Sequence, residues 1–584
     1  MSRLMKFVLK GRDGLGKKVC WPKIAICMLA VMGLAMRLYG LNWDQGYRFH
    51  PDEPFIIVSS QQVHWPQSLG QFLDAANSPL NPHFFAYGSF PIYLMAFLAH
   101  VLTIFMPDFV SFEHLALLGR VVSSVLDCGT ILLTAWMGWH LVRSEHADHV
   151  DQSGSPWAMA LLVAVLVTFT PLQLQQSHYC TVDTMLLFFV MLTLAGCVAL
   201  VDGHVPSRAA LLIGLGYGLG MATKTSAAPL AIPIFIAIVL RWRRHSLVSA
   251  VHLLVLVVGA TGWTFMLAMP YALLDRHNFL YQLSEQGNMS IGKLLLSYTI
   301  QFAYNTPYLY QIQDILLWGL GPLLGLTASL GLLWMLYVTV RRKMILWLIP
   351  LSWVLIYGAI TGGLYVKYVR YMLPIYPVLT LLAAGGLFAF LRFLRRKESS
   401  TQRSLTWFGY SLISLVVLAT AFQGLAMLNI YSQPNTLIQA SHWIYAHIKP
   451  ASTISYEQGD VVIPVGDNGA YPTPTYHLLA PGLNMLAEDT PEKAQFIMSM
   501  LQKSDLLIIT SDRSIQPALH LPQRYPFTSR YYERLLHGQL GFHLIAQFEN
   551  HPNLFGITFN DSDADPSFSI FDHPIVRIFM RNTP

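Results

Sequence analysis

The sequence predicts an α-helical polytopic membrane protein of about eleven transmembrane helices, closed by a C-terminal soluble α/β domain. Three observations lead there. The chain of 584 residues is 54% hydrophobic and 12% charged, with a mean hydropathy of +0.45, whereas ordinary globular chains carry about a quarter charged residues. Apolar runs of about 20 residues, enough to cross a hydrocarbon core, recur from Trp21 to Met427 and then stop. Short Lys/Arg clusters sit beside alternate runs, the pattern that marks cytoplasmic loops.

The first span, Pro22 to Leu41, follows Arg3, Lys6, Lys10, Arg12, Lys17, Lys18 and Lys23. Such an excess holds the N-terminus in the cytoplasm, and without a small-residue cleavage site the segment reads as an anchor. Ten further spans are expected at 115–142, 157–175, 184–201, 209–222, 226–240, 247–269, 314–338, 344–362, 369–391 and 404–427. This drawing requires basic loops after the second, sixth, eighth and tenth spans. Arg143, the run Arg241 to His245, Arg341 to Lys343, and the cluster from Arg392 fall there. The apolar run 90–106 would invert every later loop if it crossed, so it is expected to lie along the membrane surface within a first outer loop, 42–114. The polar TKTS from Thr223 splits the stretch 209–240 into two helices meeting at a corner, because a lone lysine at mid-span costs several kcal/mol. A large outer loop, 270–313, follows.

The membrane region thus covers 1–427, and 428–584 returns to mixed polarity. Helices are predicted at 435–448, 490–503 and 526–538, and strands at 452–456, from Asp505, from Phe542 and from Ile575. Their alternation favours a small α/β domain with a partly parallel sheet, which the span count places outside the cell. The five cysteines all precede this tail and show no C-x-x-C spacing, so neither a disulfide framework nor a zinc knuckle is implied. The net charge of +6 comes largely from the loop clusters, which excludes nucleic acid as the expected partner.

With the spans placed by charge alone, the polar residues that lipid should exclude collect on the outer side. His50, Asp52 and Glu53 follow the first span, and His178 and Asp183 lie in the turn QQSHYCTVD. Lys224 occupies the polar corner, and Lys367, Arg370 and Tyr371 open the tenth span. One site of mixed charge is expected there. A carboxylate can act as general base for a hydroxyl, while fixed cations at the headgroup level suit a lipid-linked phosphate. Other readings stay open. Asp52 could be a helix N-cap with Glu53 in the first turn, Lys367 and Arg370 could snorkel, and His50, Asp52, Glu53, His178 and Asp183 could hold a divalent metal. The paired glycines of GLGYGLG, from Gly214, are expected to let helices approach closely.

The HPDE after the first span, the SHYCTVD turn, the GLGMATKTS corner, the PYALLD at Pro270, RYMLPIYP at Arg370 and the terminal SFSIFDHPIVRIF together resemble the GT-C glycosyltransferases. More narrowly they are similar to the protein O-mannosyltransferase and lipid A aminoarabinose transferase group, also called phospholipid-carrier-dependent or RgtA/B/C/D-like. The resemblance runs from Asn42 to Arg581. It implies a polyprenyl-phosphate or dolichyl-phosphate sugar donor, membrane lipids around it, and a glycan, lipid or protein acceptor. It further implies an inverting displacement with Asp52 as base and Glu53 beside it, and donor phosphate held by Lys224, Arg370, Lys367 and Tyr371. Asp183 matches the second acidic position of the superfamily, as a single acid rather than a D-x-D pair. The inserted repeats of protein mannosyltransferases have no counterpart in the loop 270–313. The competing class is a transporter or flippase for a polyprenyl-linked glycan, which should show an internal repeat and charges near the bilayer midplane.

Overall fold

The computed structural model describes residues 21–148, 155–203, 205–395, 400–458, 461–466 and 474–582. The basic cluster Arg3 to Lys18 lies outside the described residues. Every predicted span falls on a helix. Among the described residues nine helices are long and apolar enough to cross a membrane, and a bent pair makes a tenth. The remaining predicted span, Pro206–Thr223, is helical, but its polar start at Pro206, Ser207 and Arg208 lowers its mean hydropathy. The chain is therefore an integral membrane protein built around the enclosed helix Val182–Asp202, while Trp21–Leu38 and Leu247–Ala268 turn most of their surface outward.

Two predicted spans differ in shape. The segment 157–175 is not one helix but Pro156–Thr168 and Pro171–Ser177, bent by 61°, because Pro171 supplies no N–H to the helix before it. The segment 314–338 begins later, at Pro322. Gly321, at φ 88°, and Pro322 stop a preceding turn of wide helix, Ile315–Gly319. The run 90–106 forms the helix Ser89–Thr103, about 22 Å long at 1.5 Å per residue, short of a core about 30 Å thick. The GLGYGLG glycines do permit close packing: a Cβ at Gly214 or Gly218 would strike the Leu247–Ala268 helix at Ala260 or Thr261.

The basic clusters and the polar residues lie at opposite ends of shared helices. Helix Val182–Asp202 starts beside Asp183 and ends where Asp202 pairs with Arg244 at 3.9 Å. The segment Val369–Leu394 starts at Arg370 and ends beyond Arg392.

The tail forms a five-stranded sheet of order β2-β1-β3-β7-β4, with β1 Thr453–Tyr456, β2 His477–Leu478, β3 Leu506–Ile509, β4 Phe542–Phe548 and β7 Val576–Arg581. A separate hairpin joins β5, Asn553–Leu554, to β6, Ile557–Thr558. Strands β2, β1 and β3 run parallel, and β7 is antiparallel to β3 and β4. Strand β3 is buried on both faces, as its unbroken Leu-Leu-Ile-Ile requires. Leu507 and Ile509 pack with Ile497, Met500 and Leu535 from the helices Pro491–Lys503 and Pro526–Leu536. Leu506 and Ile508 face the other way, into a cluster with Ile438, Ile444 and Ile578. That second cluster also contains Trp43, Phe49 and Tyr179 from the membrane region. The hydrophobic core thus runs unbroken from the sheet into the loop that follows the first membrane helix.

Candidate active site

Two close approaches bring the first loop, 42–114, onto the bundle. Gly88 donates its N–H to the Thr223 carbonyl at 2.9 Å, and any Cβ there would run into the Ala222 carbonyl. Only glycine lets the loop lie against the corner that carries Lys224. Farther back, Arg120 of helix Phe112–Asp148 grips Glu53 through Nε and Nη2 at 2.9 and 2.7 Å. The same guanidinium grips Asp44 at 2.9 and 2.8 Å and donates to the Leu41 carbonyl at 2.7 Å. Glu53 also accepts the Cys180 N–H at 2.8 Å, so the loop, the second long helix and the SHYCTVD turn are clamped together.

Helix Asp52–Gln62 starts in register with this clamp. His50 Nδ1 accepts the Asp52 N–H at 3.2 Å, and burial pushes the imidazole down to about 4, leaving it neutral. Asp52 is the first helical residue rather than the N-cap, since Pro51 holds that place. Its carboxylate reaches across to Arg370, whose Nη1 lies 2.6 Å from Oδ2.

From there a chain of opposite charges continues. Arg370 Nε lies 4.0 Å from Asp183 Oδ2, and Asp183 Oδ1 accepts from Lys224 Nζ at 2.8 Å. The lysine ammonium stands 4.6 Å from the centre of the Tyr371 ring. Arg370 Nε is buried without a hydrogen-bond partner, a donor in place for an incoming acceptor atom. Burial raises the Asp52 carboxyl, but the Arg370 charge and a hydrogen bond from Tyr87 outweigh it and hold the group below the usual carboxylate range.

Asp52, Arg370 and Tyr371 line a cavity of about 380 Å³. Its walls come from four places: Phe55, Phe84 and Tyr87 of the first loop, Tyr298 and Gln301 of the second, Tyr368 beside Arg370, and Gln458, Asn484 and Arg513 of the sheet region. That volume lies within the range of small-molecule sites, a few hundred Å³ and upward.

Of the nine sequence-predicted residues, the structure joins Asp52, Asp183, Lys224, Arg370 and Tyr371. The other four lie elsewhere. Glu53 is turned away from the cavity into the Arg120 clamp. Lys367 donates to the carbonyls of Tyr365 and Phe302 at 2.9 and 3.4 Å, and burial pushes its ammonium down to about 8. His178 sits between the carbonyls of Leu174 and Tyr39, stacked on Tyr431 at 3.9 Å. His50 lies beneath the start of its helix against Tyr179 and Phe571. The candidate metal ligands therefore do not converge, and among the described residues no group of three or more His, Cys, Asp or Glu is arranged to hold an ion.

Sequence reasoning missed Arg120, Asp44 and Arg513. A signal existed for Arg120: it stands inside a predicted span, where a charge asks for a partner. The same holds for Arg37 and Asp127, which pair at 2.5 Å in full burial. Arg513, on an ordinary-looking loop, carried none.

Residues 156–265 match the family model described as dolichyl-phosphate-mannose-protein mannosyltransferase. Among solved structures, the apo Archaeoglobus fulgidus oligosaccharyltransferase superposes at a TM-score of 0.50 and 14% identity, covering 94% of this chain and 76% of that one. ArnT from Cupriavidus metallidurans bound to undecaprenyl phosphate matches at 0.43 and 12% identity, with 96% and 98% covered. The S. cerevisiae protein O-mannosyltransferase complex bound to its sugar donor matches at 0.32 and 15%, with 47% and 36% covered. Comparison with curated proteins finds no match. The chain resembles the GT-C glycosyltransferases in fold, with a mannosyltransferase-like segment.

Proposed function

We propose that the protein transfers a sugar from a polyprenyl-phosphate or dolichyl-phosphate donor to an acceptor hydroxyl at the extracytoplasmic face, with inversion. The observation that carries this reading is the charge chain from Asp52 through Arg370 and Asp183 to Lys224, beside a cavity large enough for a sugar. The matched family model, which describes a dolichyl-phosphate-dependent transferase, points the same way.

In the resting state Arg370 neutralises Asp52. A donor phosphate, carrying more charge and more acceptor atoms than one carboxylate, competes for the guanidinium through the unpartnered Nε. Once Arg370 turns to the phosphate, Asp52 loses its counter-charge, and its pKa rises towards what burial alone would set. The carboxylate then accepts the proton of the acceptor hydroxyl. The hydroxyl oxygen bonds to the anomeric carbon as the bond to the phosphate oxygen breaks, and the electron pair leaves with the phosphate. Arg370 and Lys224 stabilise that departing charge. Glu53 takes no part in the proton transfer and holds the loop in place.

Asp52→Asn tests the assignment in membranes supplied with a polyprenyl-phosphate sugar. General-base removal costs about 10²- to 10⁴-fold, and an unaffected transfer rate would remove Asp52 from the mechanism. In cells lacking the protein, the polyprenyl-phosphate sugar should accumulate in lipid extracts measured by mass spectrometry.

A further inference from the structure

The sheet of the tail presents the segments beyond the carboxyl ends of its parallel strands to the cavity. In open sheets with parallel strands, ligands bind beyond the carboxyl ends of the strands. Here β1, β2 and β3 are parallel neighbours, and the segments that follow all reach the cavity: Gln458 after β1, Asn484 after β2, and Arg513 with Ser514 after β3. These are amide, hydroxyl and guanidinium groups, suited to a polar ligand, and they face the wall that carries Asp52 and Arg370.

The charges on this wall do not balance. Asp52 and Arg370 neutralise each other, and Arg513 is the third charged residue lining the cavity. Its sequence neighbour Asp512 is committed to Arg577. Among the described residues no carboxylate lies within ion-pair distance of Arg513. The guanidinium is held in place by neutral groups, donating through Nη2 to the Tyr298 carbonyl and to the Tyr368 hydroxyl, each at 3.1 Å, while Nε is buried without a partner. Tyr368 stands between the two arginines, with Arg370 centred 5.3 Å from its ring. Asp565 feels the Arg513 charge but lies beyond ion-pair distance and accepts instead from Ser567 and Tyr310, so Arg513 is a positioned arginine with a spare buried N–H and no carboxylate in contact, a site for an anion.

We propose that the strand ends of the tail form an acceptor subsite, in which Arg513 takes an anionic group of the acceptor, a phosphate or carboxylate, while Gln458, Asn484 and Ser514 take its hydroxyls. The inference rests on the transferase reading above and deepens it: the acceptor is an anionic, hydroxyl-bearing molecule, and the tail selects it. The same anion chemistry could come from the donor's own phosphate, so the test separates the two sources.

Full-length protein in nanodiscs is titrated with glucose 1-phosphate, with glucose and with undecaprenyl phosphate. The wild type should bind glucose 1-phosphate and not glucose. Arg513→Gln should weaken glucose 1-phosphate at least ~10-fold, the scale of one charge-assisted hydrogen bond, and change undecaprenyl phosphate less than ~2-fold, whereas Arg370→Gln should do the reverse. Arg513→Lys, which keeps the charge and guards against a folding defect, should retain part of the affinity. Equal loss of both ligands in Arg513→Gln would assign Arg513 to the donor phosphate and overturn the proposal. So would wild-type affinity for glucose 1-phosphate in that variant, or no binding by the wild type. Failure of the wild type to bind undecaprenyl phosphate would instead sink the transferase reading, leaving an anion site at Arg513 standing on its own result.

Discussion

Replacing Arg120 by Met removes one guanidinium and strands two buried carboxylates. Asp44, Glu53 and Arg120 are each at most 4% exposed in their side chains, and four charge-assisted hydrogen bonds and one to a carbonyl disappear together. Breaking a buried pair from one side costs about 3–5 kcal/mol. Against a total stability of about 5–15 kcal/mol, that is a large share. Glu53→Gln strands no charge and can still accept the Cys180 N–H, so the double variant Arg120→Met, Glu53→Gln should recover about 1–3 kcal/mol of the loss. The four proteins of this cycle can be unfolded by denaturant in detergent micelles and followed by tryptophan fluorescence. Sugar transfer is measured alongside, where Glu53→Gln should retain most of its rate while Asp52→Asn loses it. An Arg120→Met protein within about 0.5 kcal/mol of wild type, the range of ordinary surface changes, would refute the clamp. A Glu53→Gln protein as inactive as Asp52→Asn would return Glu53 to the chemistry.

Gly88→Ala should destabilise by about 1–3 kcal/mol and lower transfer, because the methyl group pushes the first loop off the Lys224 corner; a thermal melt and a rate measurement check it. His573 has Asp572 on Nδ1 at 2.6 Å and Asp561 on Nε2 at 2.8 Å. Burial would push it down, yet those two acids push it up to about 10. A raised pKa stabilises fully below the unfolded value of about 6.5 and is lost as pH rises towards 10, so the melting temperature should fall across that window, and His573→Gln should flatten the fall. In kcat/KM, which reports the free enzyme, the acid limb of transfer should lie low because Arg370 holds Asp52 down before the donor binds. Arg370→Gln should move that limb to higher pH in a rate profile, and an unmoved limb would mean that another group is the base.

The membrane helices were legible because lipid imposes a long apolar run on each, and because loop charge is written in the sequence in plain order. The same ordering brought Asp52, Asp183, Lys224 and Arg370 to one end of the bundle, where the structure joins them in a single chain of pairs. Boundaries failed at Pro171 and Gly321, where a short apolar context hid a break that the residue types themselves announced. Adjacent residues proved harder. Asp52 and Glu53 are neighbours on a helix and point about 100° apart, so one faces the cavity and the other Arg120. Nothing in a local motif distinguishes them. Arg513 was invisible for a different reason: its meaning depends on which strands are parallel and on the absence of a paired acid, both properties of the folded sheet.

Tyr47 donates to the carbonyl of Gly466 at 2.9 Å across a separation of 419 residues, and Trp43 and Phe49 share their apolar contacts with Ile454 and Phe571. On the ribosome the first loop is therefore finished long before the surfaces that cover it exist. Its aromatic face must wait, shielded by lipid or chaperone, until the last strand emerges and the sheet closes over it. The wall that the tail lends to the cavity, Gln458, Asn484 and Arg513, is accordingly a late product of biogenesis, set in place only when β7 joins β3 and β4.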